Sequence, residues 1–266
     1  MDDDWSRNRR GWDAYCDEYQ RLHGAQLTAN PQAWGVWSLP ESEVRLLGDV
    51  RDRDVLEFGC GAAQWSIALA QRGARCTGLD NSARQLDHAR AAAAAAGVDV
   101  RLVHAPAEDP PFADASFDIV FCDHGALSFT APETTIPQAA RLLRSGGILA
   151  FSTGHPLREV CWDPVSDLTS RRLHHAYFGL GAIVDPADGI VSHVRTIAAY
   201  VAIIIGAGFT LEQLLEPQPP PHARSTYAFI DLEWARAYPA EVIFRARKGA
   251  ARPTADSTPD PRSYRG

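Results

Sequence analysis

The chain has no CxxC pair, no HExxH spacing, no long basic run and no long uninterrupted apolar span. Its five cysteines, Cys16, Cys60, Cys76, Cys122 and Cys161, are an odd set at irregular spacings. They offer neither a zinc site nor a disulfide framework. With no metal constellation, the chemistry must come from an organic cofactor or from side chains alone. Lysine and arginine together make 26 residues against 33 aspartates and glutamates, a formal charge of −7. An acidic chain is poorly suited to duplex nucleic acid, where affinity comes largely from neutralising phosphates. The missing apolar span argues against a membrane protein. The opening MDDDWSRNRR lacks the apolar centre of a secretory signal, so a cytoplasmic location is expected. A length of 266 residues suits one large domain, or one domain with an elaborated lid, able to bury a core without staples.

Residues 2–30 carry Trp12, Tyr15, Tyr19, Leu22 and Gln26 at helical spacings. A connector, AWGVWSLPES, and a short helix, SEVRLLGDV, follow. From Val55 the pattern changes to short apolar runs alternating with helical stretches. VLEF, RCTGLD, VRLVHA, FDIVFCD and GILAFST read as strands. AQWSIALAQRG reads as a helix closed by Gly73, and SARQLDHARAAAAAAG as one opened by Ser82 and stopped by Gly97. The run Ala91–Ala96 is helix rather than low complexity, since alanine is the best helix former. TTIPQAARLLRSGG supplies a further helix ending in its Gly-Gly turn. This alternation predicts a doubly wound α/β fold, a parallel sheet with helices on both faces. Residues 154–195 break the rhythm and read as an inserted lid, with a hairpin of AYFGLGAIV and GIVSHVR about the turn DPAD. TIAAYVAIIIGAGF is an apolar helix, and FTLEQLLEP and EVIFRAR are the last strands. The tail 248–266 has little to bury and is expected to be disordered.

The central motif is VLEFGCGAAQWS, a strand, a Gly-x-Gly turn and a helix. Glycine there lets the backbone turn tightly and a ligand approach it without a Cβ in the way. Asp80 ends the next strand, 23 residues beyond Glu57, where a carboxylate commonly holds ribose hydroxyls. Two nucleoside cofactors use such a frame. A dinucleotide needs a helix N-terminus for its pyrophosphate and normally a third glycine, where this chain has Gln64. Glu57, immediately before the turn, would repel that pyrophosphate. S-adenosylmethionine carries an ammonium and a sulfonium and no phosphate, so an acid beside the turn suits it.

The runs VLEFGCGAAQWSIALAQRGARCTGLDNS, APAEDPPFADASFDIVFCDHGALSF and ARLLRSGGILAFST together resemble the class I S-adenosylmethionine-dependent methyltransferases, strongly over residues 50–153. The resemblance implies a seven-stranded sheet, six strands parallel and the last antiparallel, over residues 50–247. It implies a helical N-terminal cover over 1–49. It places Glu57, Gly59, Cys60 and Gly61 under the methionine part of the donor, with Gln64 beside them. Asp80 would take the ribose hydroxyls, Asn81 lie beside the adenine, and Ala107 and Glu108 flank its edge. Relatives often have an acid where this chain has Pro106, and Glu108 could substitute. Asp123 and His124 would face the sulfur and the acceptor. Tyr15, Tyr19 and His23 would belong to the cover, which Trp37 could complete.

Methyl transfer needs a base only when the acceptor must lose a proton, and histidine suits that task near neutrality. Of nine histidines, His124 follows the fourth strand, His155 the fifth, and His193 lies in an HxRT segment before the apolar helix. His193 is the first candidate base because a lid residue there can face the acceptor. His124 is the second and His155 the third. The doublet His174–His175 reads as a solvated turn, and no metal is expected. After the fourth strand the chain has CDHG rather than the asparagine–proline–proline–aromatic signature of nucleic-acid amino-methylating enzymes. The expected acceptor is therefore a small molecule, partly aromatic or apolar, with no nucleic acid or membrane partner. A nonenzymatic S-adenosylmethionine- or nucleoside-binding regulator is the alternative, and a nicotinamide dehydrogenase a third reading.

Overall fold

The computed structural model describes residues 3–185 and 188–249. Seven apolar runs pair into one sheet: β1 (Asp54–Phe58), β2 (Arg75–Asp80), β3 (Arg101–His104), β4 (Phe117–Asp123), β5 (Leu143–Gly154), β6 (Phe209–Leu215) and β7 (Glu241–Lys248). Their order across the sheet is β6-β7-β5-β4-β1-β2-β3. β7 runs antiparallel to both neighbours and the other six strands are parallel, as the sequence leads one to expect. The central strands are buried on both faces, which is why they read as continuous apolar runs. Along β4 the pleat sends Val120 and Cys122 into one core and Ile119 and Phe121 into the other. The first core also takes Phe151, Phe244, Tyr200 and Ile204, and the second takes Trp34, Trp65 and Leu69.

The chain leaves β1 toward β2 and β3 on one side, and β4 and β5 lie on the other. The crevice between β1 and β4 is therefore the switch point at which such sheets bind ligands. Two helices open just beyond this edge, α3 (Gln64–Gln71) after β1 and α4 (Ala83–Ala96) after β2. Ser82 caps α4 by accepting from Gln85 N, and Gly97 ends it in the left-handed conformation. Helix α6 (Pro132–Leu142) stops before the Gly-Gly turn that the sequence makes its end. Leu143 is instead drawn into the sheet, where it pairs with Phe117 and is fully buried. Burial of that leucine outweighs local helix preference.

Over the edge lies α1 (Asp4–Ala29), whose first turn is capped by Asp3. Asn8 stitches it down: its amide nitrogen donates to Phe129 O and Val191 O, and its oxygen accepts from Val191 N. Phe129 ends a short helix, α5 (Ala126–Phe129). Between lie a two-strand ladder, Ala33–Trp34 with Leu39–Pro40, and the one-turn helix α2 (Glu41–Val44). Segment 154–195 holds α7 (Pro156–Cys161) and two short ladders, Trp162–Asp163 with Leu168–Thr169 and Ala182–Val184 with Val191–His193. The second is the expected hairpin with shorter strands; Pro186 and Ala187 of its turn lie outside the described residues. The apolar helix is α8 (Ile197–Gly206), and α9 (Leu232–Ala237) rises from a stretch with no clear pattern. Residues 248 and 249, which the sequence assigns to the tail, are held by the fold, and the rest of that expectation falls outside the described residues. Lys248 closes β7 and donates to Leu143 O, Gly249 N donates to Gly208 O, and 250–266 lie outside the described residues. No helix among the described residues is long and apolar enough to cross a membrane.

The glycine turn after β1 is fixed by close backbone packing. Gly59 has φ +72, and a Cβ there would run into the backbone of Gly125 and Ala126. Gly61 has φ +52, but a Cβ there would meet only Gln85 Oε1 at 3.8 Å. Gly61→Ala should therefore cost about 1–2 kcal/mol, the left-handed penalty alone. Gly59→Ala should cost distinctly more, because a packed amide cannot move aside. Urea unfolding of the two variants compares them directly, and equal losses would show that the Gly125–Ala126 contact does not constrain the turn.

Candidate functional site

The turn hangs from β2: the amides of Gly59 and Cys60 donate to Leu79 O at 2.8 and 3.1 Å. Cys60 tucks its thiol against Gly78, where an added Cβ would lie 2.7 Å from Sγ. Gly61 N then donates to Asp80 Oδ2 and Ser82 N to Asp80 Oδ1, both at 2.8 Å. Below the turn Glu57 Oε2 accepts from Ser66 N at 3.1 Å and Ser66 Oγ at 2.5 Å, which ties β1 to the first turn of α3. At the end of β4, Asp123 Oδ1 accepts from Gly35 N at 2.8 Å and Ser152 Oγ at 2.5 Å, and Oδ2 accepts from Trp65 Nε1 at 3.3 Å.

All three carboxylates line one cleft, and no lysine or arginine lines it among the described residues. Burial pushes the Glu57 pKa up to about 8, against the two Ser66 hydrogen bonds and with help from Asp123 and Asp80. Burial likewise raises Asp80, opposed by the amides of Ser82 and Gly61. Asp123 is raised by burial too, with His124 and Ser152 opposing. A pocket that makes its acids reluctant to ionise and supplies no cation favours a cationic guest.

The sequence-predicted residues Tyr19, Glu57, Gly59, Cys60, Gly61, Gln64, Asp80, Asn81, Ala107, Glu108, Asp123 and His124 all line this cleft. Asn81 donates to Trp5 O, while its Oδ1 and Trp5 Nε1 are buried with no hydrogen-bond partner among the described residues. Two such atoms, one acceptor and one donor, beside Glu108 and Ala107 suit a purine edge. The acids on the turn side suit an ammonium and ribose hydroxyls. The residues present therefore fit S-adenosylmethionine.

Three expected site residues are elsewhere. Trp37 is buried in a separate cluster with Val36, Cys161 and Trp234, because its large apolar ring gains more from that core than from a polar cleft. His155 caps α7, accepting from Leu157 N at Nδ1, and its Nε2 lies 2.9 Å from Glu216 Oε1. His193 is buried where the ladder of segment 154–195 meets α1, with Nε2 3.2 Å from the Asp4 carboxylate. Burial lowers the pKa of both rings, against the pull of Glu216 and Asp4 respectively. Neither His155 nor His193 lines the cleft, which leaves His124 as the cleft's histidine among the described residues.

Other residues of the site went unread in the sequence. Trp5, Asn8, Trp12 and Gln20 of α1 face the cleft at helical spacing, a signal that periodicity could have supplied. Gln20 also links Gln64 and Gln85, accepting from Gln64 Nε2 at 3.2 Å and donating to Gln85 Oε1 at 3.0 Å. Tyr19 OH lies 2.7 Å from Tyr227 OH, and Tyr227 stacks on His23 at 4.1 Å between ring centroids. Tyr227 comes from the Pro-rich stretch before α9, which has no periodicity to read. Cys16, Asp17 and His88 form one group able to hold a metal, outside the cleft lining. Asp17 is already engaged there by His88 at 2.8 Å and by Arg84.

Residues 56–151 match the family model described as a methyltransferase domain. The demethylmenaquinone methyltransferase of Clavibacter sepedonicus is 32% identical over 146 residues, covering 53% of this chain and 57% of that protein. The 27-O-demethylrifamycin SV methyltransferase of Amycolatopsis mediterranei is 33% identical over 158 residues, covering 53% and 56%. The chain thus spans about half the length of the curated relatives it matches. Among solved structures, an S-adenosylmethionine dependent methyltransferase from Mesorhizobium loti superposes with TM-score 0.64 at 24% identity, over 78% of this chain and 96% of that one. The geranyl diphosphate C-methyltransferase of Streptomyces coelicolor A3(2), solved with S-adenosyl-L-homocysteine, has TM-score 0.57 at 18% identity, over 78% and 76%. Sheet order, acid-flanked glycine turn and domain match agree: residues 56–151 carry a methyltransferase domain, on the fold that S-adenosylmethionine-dependent methyltransferases share.

Proposed function

We propose that the protein transfers a methyl group from S-adenosylmethionine to an oxygen or nitrogen of a small-molecule acceptor. The observation that carries this reading is the set of three buried carboxylates, Glu57, Asp80 and Asp123, in a cleft that no lysine or arginine lines among the described residues. When bound, the donor supplies an electrophilic methyl group on a sulfonium. Glu57, below the glycine turn, holds its amino-acid end, and Asp80 its ribose. Asn81, Ala107 and Glu108 hold its base. The rest of the cleft is walled by Trp12, Tyr19 and Phe129, whose rings exclude water and suit an aromatic or apolar acceptor. The absence of lysine and arginine from the lining speaks against a nucleic-acid acceptor, whose phosphates would need them. The names of the relatives above, which act on a menaquinone precursor and a rifamycin, agree with a small acceptor of this character.

The test is formation of S-adenosyl-L-homocysteine by the purified protein over a panel of phenol, catechol, hydroxyquinone and amine acceptors, against a blank without acceptor. Turnover with one class supports transfer. Tight donor binding with no turnover on any would favour the regulator instead. Asp80→Ala should weaken donor binding by roughly 1.5–3 kcal/mol, the scale for hydrogen bonds to a charged group. Unchanged affinity by calorimetry in a folded variant would remove Asp80 from the site.

Glu57 makes binding pH-linked. With its pKa near 8 in the free protein, it is mostly protonated at pH 7 and ionises when a cation arrives. Donor binding at pH 7 should therefore release close to one proton, seen as a binding enthalpy that varies with the ionisation enthalpy of the buffer. Glu57→Gln should abolish that dependence and weaken binding. The same shift bears on stability. The folded pKa lies above the usual 4.5, so the free protein loses this contribution as pH rises from about 4.5 through about 8. Thermal melts should show Glu57→Gln gaining on the wild type across that window. Parallel melting curves with pH would show that Glu57 is ionised throughout.

A further inference from the structure

Because β7 alone is reversed, its first residue lies at the same edge of the sheet as the last residues of the parallel strands. Glu241 pairs in register with Gly154 at the end of β5. Glu241 is 1% exposed, and its Oε1 lies 2.6 Å from Nε2 of His124, just past the end of β4. The same carboxylate accepts from Val36 N at 2.7 Å. Gly35 makes room for it, since a Cβ there would lie 2.5 Å from Oε2. His124 itself is held in the left-handed region at φ +47, unusual for a residue with a side chain, and its amide donates to Ser152 Oγ at 3.0 Å. The ring is thus fixed from both ends, by its backbone and by a buried acid.

The hydrogen-bond inventory decides what the ring can do. An ionised Glu241 only accepts, so a neutral His124 must carry its proton on Nε2 and present Nδ1 as an acceptor. Among the described residues Nδ1 makes no hydrogen bond, and the side chain, 29% exposed, lines the cleft. Asp123 beside it is occupied by Gly35, Ser152 and Trp65. The charged groups facing the ring are Glu241 from β7, Asp123 from β4 and Arg158 from α7. Burial draws the ring's pKa down, but Glu241 and Asp123 outweigh it, and the net shift is upward.

We propose that Glu241 and His124 form a carboxylate–imidazole pair in which Glu241 positions the ring and His124 Nδ1 takes the proton of an acceptor hydroxyl. The inference rests on the methyltransferase reading above and narrows its acceptor to a hydroxyl compound. The acceptor O–H bond breaks and its proton forms the Nδ1–H bond. The electron pair left on oxygen makes the bond to the transferred carbon, whose former bonding pair stays on the donor sulfur. The imidazolium then returns its proton to water.

The first measurement uses ¹⁵N-labelled protein saturated with S-adenosyl-L-homocysteine, so a failure to bind that ligand overturns the methyltransferase reading, and this inference with it, and is distinct from a failure of the pair in the bound protein. The imidazole ¹⁵N shifts should show a neutral His124 protonated at Nε2, titrating above 6.5, and titrating lower in Glu241→Gln. An Nδ1-protonated tautomer, or a ring pKa unmoved in Glu241→Gln, overturns the pair. The wild-type tautomer needs no variant, so the proposal is tested even if Glu241→Gln does not fold. In turnover with the best hydroxyl acceptor of the panel, the acid limb of the kcat–pH profile should move to lower pH in Glu241→Gln. His124→Asn, whose side chain tolerates the left-handed backbone, should lower kcat by ~10²-fold or more with S-adenosyl-L-homocysteine affinity retained. A wild-type kcat in His124→Asn, or an unmoved acid limb in folded Glu241→Gln, assigns both residues a purely structural role.

Discussion

Burying three carboxylates at one sheet edge, with no lysine or arginine beside them among the described residues, is the constraint on which the rest of the structure depends. Each acid is made tolerable by donors that are themselves part of the fold. Glu57 takes Ser66 from the start of α3, Asp80 takes the amides of Gly61 and Ser82, and Asp123 takes Gly35, Ser152 and Trp65. These bonds are also what set the positions of the glycine turn, the start of α4 and the loop before α2. The electrostatic strain of the free cleft and the geometry of the cleft therefore have one origin. A cationic guest relieves the first and uses the second.

The roof over the cleft is assembled from distant parts of the chain. α1 is held at one end by Asn8 on the ladder strand Val191–His193 and on α5, and further along by Tyr19 and His23 against Tyr227. Its cleft face carries rings and amides, while Asp4 and Asp13 bind His193 and Ser82 beside the cleft. These contacts draw a histidine that looks catalytic in the sequence away from the cleft lining. His193 sits where the roof meets the sheet's insertion, and the nearby Asp4 gives it a partner outside the reaction space.

Much of this was legible in the sequence where function rests on local pattern. The strand–turn–helix unit from Val55 to Ser66, and Asp80 at the end of the next strand, required no knowledge of tertiary contacts. Alternation of short apolar runs with helices gave the parallel sheet, while its reversed last strand was implied only by the family resemblance. What could not be read is what depends on two segments far apart. Trp37 is expected to complete the cover, yet only the fold sends its ring to an apolar cluster, whereas His124, read in the sequence as facing the donor, does line the cleft. Glu241 looks like an ordinary first residue of a last strand, and its meaning comes from the reversal of that strand. Tyr227 lies in a stretch where neither helical nor strand period exists, so no local rule could assign it a neighbour.

The reversal of β7 also separates the two halves of the site in the order of synthesis. A growing chain has made Glu57, Asp80 and Asp123 long before the carboxylate that orients His124 emerges, 117 residues after that histidine. Until the antiparallel strand inserts between β5 and β6, the ring at the end of β4 has no buried acid to hold it, and β6 has no place in the sheet. Closing the sheet and orienting the imidazole are thus one event. An oriented imidazole belongs to the completed sheet, whereas the three acids of the cleft are set by strands made earlier.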